Sequence, residues 1–121
     1  MGKNTGLSRL YYASCYSMKG LKAAFSNEPA FRYEVYASAV MIPLACFIAQ
    51  NAYQLAALIG VCLVVLAVEL VNTAIEAIVD RAGTEFHELA GIAKDTASAA
   101  VLMVLLMAGL VWSAVLWENY I

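Results

Sequence analysis

Three long stretches of the chain are apolar, and the first stretch before them alternates. Residues 30–49, 55–79 and 97–117 each reach the roughly 20 residues that cross a hydrocarbon core of about 30 Å. The first run carries Arg32 and Glu34 near its start. The second carries Glu69, Asn72 and Glu76. The third carries no charge. Residues 1–27 follow another rule. Leu7, Leu10, Tyr11, Met18, Leu21 and Phe25 recur at a helical period, with Arg9, Tyr12, Tyr16 and Lys19 on the opposite face. That pattern predicts an amphipathic helix lying in the membrane interface. Asn27-Glu28-Pro29 should end it, because the residue before a proline is pushed out of the α region. Pro29 suits the first turn of the next helix, and Pro43 should kink that helix. The expected fold is an all-α membrane protein, with three transmembrane helices and an N-terminal surface helix. It forms a single domain over residues 1–121, with residues 80–96 as a cytoplasmic loop.

Composition supports the membrane assignment. The chain has 121 residues, of which 64% are hydrophobic and only 13% charged, and its mean hydropathy is +0.77. Ordinary globular chains carry roughly 25% charge, and a small soluble domain has a large surface to cover with polar groups. A net charge of −2 shows no basic excess, which argues against a nucleic-acid module. Cys15, Cys46 and Cys62 are scattered, with no CxxC. Those in the apolar runs read as small core residues. The first 30 residues show no apolar signal region or cleavage site, so insertion is expected through the chain's own spans.

Basic residues set the expected orientation. Lys3, Arg9, Lys19, Lys22 and Arg32 precede or open the first span, and Arg81 and Lys94 lie between the second and third. The connection 50–54 has none. The positive-inside rule then places the N-terminus and residues 80–96 in the cytoplasm, and the C-terminus outside. All seven basic residues and eight of the nine acids fall on that inner side; only Glu118 does not. Tyr53, Trp117 and Tyr120 fall where an outer aromatic belt belongs.

Glu69, Asn72, Glu76 and Asp80 are spaced to share one helical face, with Thr73 beside it. A carboxylate inside a bilayer costs at least about 2.5–3.5 kcal/mol, and such residues are usually functional. Counted at about 1.5 Å per residue from Leu55, Glu69 lies about 10 Å below the cytoplasmic boundary. Glu76 and Asp80 reach the boundary itself. The stripe therefore runs from lipid-headgroup depth to water, which suits a reaction between a lipid headgroup and a water-soluble cosubstrate. Helix–helix hydrogen bonding and an ion path are the competing readings of the same stripe. Glu28, Glu34, Glu85, Glu88 and Asp95 gather at the same side. Glu28 and Glu76 are the best-placed pair for Mg²⁺, which takes one or two carboxylates plus substrate phosphates. His87 reads on its own as a solvated loop residue or as a ligand. Phosphate-cradling glycine loops and kinase signatures are missing from the sequence, so phosphoryl transfer would rest on side chains and metal. Positioning and charge neutralisation suffice for it.

The run from Glu69 to Arg81, then Glu85-Phe-His87-Glu88 and Ala93-Lys94-Asp95-Thr-Ala-Ser98, resembles the bacterial integral-membrane diacylglycerol kinases. Tyr16-Ser17-Met18-Lys19-Gly20-Leu21 and Asn27-Glu28-Pro29-Ala30-Phe31-Arg32-Tyr33-Glu34 match as well, and the likeness covers essentially the whole chain. Met18 and Pro29 are mild departures from the pattern. The resemblance implies a homotrimer with active sites at the cytoplasmic face of the inner membrane. It implies transfer of the γ-phosphate of ATP, with Mg²⁺, to 1,2-diacylglycerol, giving phosphatidic acid. By matching motif, Glu69 would be the base, Asn72 would position groups near it, and Asp80 would support the site. Glu28 and Glu76 would hold the metal and bridge to ATP. Arg9, Tyr16, Glu85, Phe86, His87, Lys94 and Asp95 would line the nucleotide site. The lipid would lie along Ser14, Cys15, Tyr16, Ser17 and Met18, then Lys22, Ala23, Ala24 and Phe25. Its path would continue past Ala30, Phe31, Arg32, Tyr33, Glu34 and Ser98 towards Trp112 and Trp117, with Arg9 and Glu69 at its head.

Two alternatives stand beside this reading. The related undecaprenol kinases share the central motifs. A small oligomeric transporter would use the Glu69/Glu76 stripe as a path, which leaves Lys94-Asp95 without a task.

Overall fold

A computed structural model describes residues 5–82 and 88–121. Four helices account for nearly all of them: α1 (Gly6–Asn27), α2 (Pro29–Ile48), α3 (Ala52–Arg81) and α4 (Glu88–Tyr120). No strand occurs among the described residues. α2, α3 and α4 are each long and apolar enough to cross a membrane. α3 packs chiefly on α4 and next on α2, while α1 folds against the start of α2 and the adjoining part of α3.

The helix ends follow from local chemistry. α1 stops at Asn27 because Glu28 is extended (φ −117°, ψ 104°) ahead of Pro29. Pro29 then occupies the first turn of α2, where its missing N–H costs nothing. α2 continues through Pro43 to Ile48. Asn51 caps α3, its Oδ1 accepting the Gln54 N–H at 2.9 Å. α4 begins earlier than its apolar run suggests. Residues 88–96, expected within the connecting segment, are its first turns. Hydropathy does not register a polar helical turn, and Glu88 sits in the first turn, where the helix dipole favours an acid.

The core lies toward the α2–α3 turn. Ala45, Leu58, Val61, Cys62, Trp112 and Val115 form a buried cluster, with Met41, Ile48, Leu55 and Ile59 against it. Leu58 is fully buried. Above it a side-chain amide pair joins three elements. Gln54 Nε2 donates to Asn119 Oδ1, and Asn119 Nδ2 donates to both Gln54 Oε1 and the Ile48 carbonyl, each at 2.9 Å. The Gln50 N–H also donates to Gln54 Oε1. Away from water, such a pair leaves few polar atoms unsatisfied.

Many large apolar side chains point outward, among them Val40, Phe47, Leu102, Met103, Leu106 and Leu110. In water that surface would be a liability; a helix bundle in lipid presents such residues as a matter of course. On α1, Leu7, Leu10, Tyr11, Met18 and Leu21 are exposed, as are Arg9 and Lys19 on the other face. Phe25 is half-buried and meets the Tyr36 ring edge-on at 5.8 Å.

Leu58→Ala should lower stability by about 2–5 kcal/mol, as deletion of a buried leucine does elsewhere. Asn119→Ala should cost about 1–3 kcal/mol by orphaning Gln54. Thermal unfolding in detergent micelles checks both, and an Asn119→Ala protein as stable as the parent would remove the amide pair from the account.

Candidate active site

The polar stripe of α3 grades from buried to exposed along its length. Glu69 and Asn72 are 4% and 8% exposed, Glu76 is half-buried and Asp80 is exposed. The inward turn of Glu69 is what the cost of lipid contact demands. Asn72 is central to the stripe. Its Nδ2 donates to Glu76 Oε1 at 3.2 Å, and Glu69 lies one turn earlier on the same face of α3. One neutral donor thus stands between two acids of one face. Thr73 Oγ1 donates to the Glu69 carbonyl at 2.9 Å, the back-bonding common for threonine in helices.

Acids from elsewhere join the stripe. Glu28, at the α1–α2 joint, and Glu34, one to two turns into α2, both lie within electrostatic reach of Glu69. Glu34 Oε2 and Asn72 Oδ1 are buried without a hydrogen-bond partner among the described residues. Both are free acceptors beside Glu69. On α4, Lys94 Nζ lies 2.7 Å from Asp80 Oδ1. Both side chains are well exposed, so this pair adds little to stability. It brings a cation to the acidic end.

A cavity of about 670 Å³ opens between α1 and α3. That is within the range of small-molecule sites. Glu28, Glu76 and Asp80 supply its acidic lining, and Ser17, Asn27 and Thr73 supply neutral polar groups. Gly20, Ala23 and Ala24 on α1 face the space with Ala74 and Ala77 on α3. Small side chains on both helices are what leave the space open. Glu69 does not line the cavity; Asn72, one turn along the same face, bonds Glu76, which does.

The residues assigned from the resemblance therefore divide. Ser17, Ala23, Ala24, Glu28, Glu76 and Asp80 line the cavity, and Glu34, Glu69 and Asn72 stand behind it. Lys94 sits at its acidic rim. Arg32 reaches the end of α1, donating from Nη1 to the carbonyls of Phe25 (2.9 Å) and Ser26 (3.0 Å). Phe31 is buried at 2% exposure. Ser14 bonds its own helix through the Leu10 carbonyl, and Tyr16 lies under Lys19, whose Nζ is 5.8 Å from the ring. Cys15 is half-buried, while Arg9, Met18, Lys22, Ala30, Tyr33, Asp95 and Ser98 are exposed. Trp112 sits in the core cluster and Trp117 is exposed near the α4 terminus. Glu85, Phe86 and His87 lie outside the described residues. Sequence reasoning passed over Gly20, Asn27, Ala74 and Ala77. Small residues at three-residue spacing on two helices were the available signal.

The donor chemistry suits a hard cation. Among the described residues no three His, Cys, Asp or Glu side chains converge on one point, which does not fit zinc. Two carboxylates on a shared cavity, completed by phosphate oxygens, fit Mg²⁺.

Helices that can cross a membrane, together with a cavity walled by acids at one end, define a membrane protein with a polar site at helix-end depth. Residues 15–116 match the family described as prokaryotic diacylglycerol kinase. The chain is 45% identical over 117 residues to a diacylglycerol kinase of Haemophilus influenzae, covering 97% of this chain and 99% of that one. It is 45% identical over 116 residues to the Escherichia coli diacylglycerol kinase, covering 96% and 95%. It is 44% identical over 112 residues to that of Pseudomonas aeruginosa, covering 93% and 91%. The chain belongs to the prokaryotic diacylglycerol kinase family.

Asn72→Ala should cost about 1–3 kcal/mol, because Glu76 loses its donor and the two acids lose the neutral amide between them. Asn72→Asp should cost more, since it adds a fourth acid to the face that carries Glu69, Glu76 and Asp80. Comparing the two by thermal unfolding tests that role, and an aspartate variant more stable than the alanine variant would count against it.

Proposed function

We propose that this protein transfers the γ-phosphate of ATP to the hydroxyl of 1,2-diacylglycerol, yielding phosphatidic acid, at the cytoplasmic face of the bacterial inner membrane. One observation carries the reading. In a member of this family, a buried glutamate, Glu69, lies one turn from Asn72, which bonds Glu76 in an acid-lined cavity at the end of a membrane-length helix. The transport alternative explains the buried acids but not the family.

In the proposed mechanism, the lipid hydroxyl approaches Glu69 from the bilayer. Glu69 accepts its proton as the new oxygen–phosphorus bond forms and the bond to the ADP oxygen breaks. The proton then passes to water. Asn72 keeps Glu69 and Glu76 apart and oriented, and its free Oδ1 can accept from the substrate. Glu28 and Glu76 are the residues that would hold Mg²⁺, whose charge offsets that of the ATP phosphates when it is bound. Lys94 adds positive charge at the rim, with Asp80 holding it there. Arg9, Tyr16, Glu85, Phe86, His87 and Asp95 complete the nucleotide side. The lipid side is formed by the α1 and early α2 residues, with Ser98 on α4.

The assembly follows the same reading. The three long helices form the spans of one domain, with the N-terminus inside. α1 lies in the interface, its exposed leucines toward lipid and Arg9 and Lys19 toward water. A homotrimer is what the family resemblance implies for the assembly.

Purified protein with labelled ATP and Mg²⁺, offered diacylglycerol and undecaprenol in turn, should give labelled phosphatidic acid. Label appearing only in undecaprenyl phosphate would overturn the acceptor. Glu69→Gln should lower the rate by about 10²–10⁴-fold, the scale of lost general-base catalysis, with unfolding temperature and oligomeric size retained. Near-normal turnover by that variant would remove Glu69 from the base role.

A further inference from the structure

We propose that Arg32 is a positioning residue for the acidic site: its guanidinium clasps the end of α1 and thereby fixes where Glu28 stands. The inference rests on the reading of Glu28 as a carboxylate that serves the metal-bound nucleotide.

α1 ends without the usual closures. No basic residue lies in its last turn, and its C-cap is Glu28 rather than glycine. The Glu28 N–H still donates to the Ala24 carbonyl at 2.8 Å. The next carbonyl, that of Phe25, would take its helical donor from residue 29. That residue is Pro29, which has no N–H. Arg32 supplies the missing donor from one turn into α2. Its Nη1 lies 2.9 Å from the Phe25 oxygen and 3.0 Å from the Ser26 oxygen. Its positive charge also suits the negative end of the helix dipole.

The same residue holds Glu28 from the other side. The Arg32 N–H donates to the Glu28 carbonyl at 3.1 Å. Glu28 therefore sits inside a short loop that Arg32 closes at both ends, by main chain and by side chain. The Phe25–Tyr36 ring contact covers the apolar side of this elbow. Within the loop, Glu28 is half-buried and lines the cavity together with Glu76. A freed elbow would let α1 swing and carry Glu28 away from Glu76. Lysine can reach a carbonyl but lacks the planar fork that holds two donors in a set geometry, so Arg32→Lys should keep only part of the function.

The experiment pairs hydrogen exchange with kinetics on Arg32→Gln and Arg32→Lys, in micelles containing diacylglycerol. Amide exchange over residues 24–34 should rise by about tenfold in Arg32→Gln and by less in Arg32→Lys. The Mg²⁺ concentration for half-maximal rate should rise by about fivefold or more in Arg32→Gln and by less in Arg32→Lys. Arg32→Lys guards against a folding failure of the glutamine variant. Unchanged exchange over residues 24–34 would overturn the clasp whatever the activity. Faster exchange with an unaltered Mg²⁺ requirement would overturn the positioning of Glu28, whatever the lipid KM does. Parent protein inert toward diacylglycerol would sink the kinase reading instead, and the exchange comparison would still decide the clasp.

Discussion

A carboxylate on a membrane-length helix has to be kept from lipid, and Glu69 is where this chain meets that demand. Exposure to hydrocarbon would cost at least about 2.5–3.5 kcal/mol. α3 avoids it by turning Glu69 and Asn72 inward, where they are 4% and 8% exposed. Inward burial raises a second problem, since Glu34 and Glu76 are close by. Asn72 eases it by placing a neutral amide between Glu69 and Glu76 and donating to the latter. The rest of the acidic end is arranged around this solution. α1 folds back toward the same part of α3, α2 begins there, and Lys94 reaches Asp80 from α4.

The two ends of the bundle do different work. Toward the α2–α3 turn the interior is apolar, and the Gln54–Asn119 pair ties three helices together. At that end the side-chain amides of Gln54 and Asn119 have partners, although the buried Trp112 Nε1 finds none among the described residues. The acidic end keeps a cavity, free acceptors on Glu34 and Asn72, and exposed charge at Asp80. Polar groups left without partners are costly to a fold and useful to a substrate. The apolar end is packed closed, and the α1–α2 elbow borders the cavity at the other.

Much of this was legible in the residues. The apolar runs correspond to helices, and the spacing of Glu69, Asn72, Glu76 and Asp80 placed them on one face. The break at Asn27-Glu28-Pro29 followed from proline chemistry. What escaped was of a different kind. The first turns of α4 are polar, so hydropathy passed over them. Trp112 lay on the lipid path implied by the resemblance, whereas within the chain it packs in the core against α2 and α3 residues. Nothing in the pattern around Arg32 marks it as a clasp, because its partners are main-chain carbonyls that every residue carries.

By itself the sequence determined where the long apolar helices run, which acids share one helical face, and the family. Those depend on period, hydropathy and motif, which are local properties of the chain. Only the tertiary structure decided which distant groups meet. Gln54 finds Asn119 across 65 positions, and Asn119 finds the Ile48 carbonyl across 71. The cavity likewise exists only where the small faces of α1 and α3 lie side by side. Such pairings are settled by how helices pack against one another, and no local stretch of sequence records them.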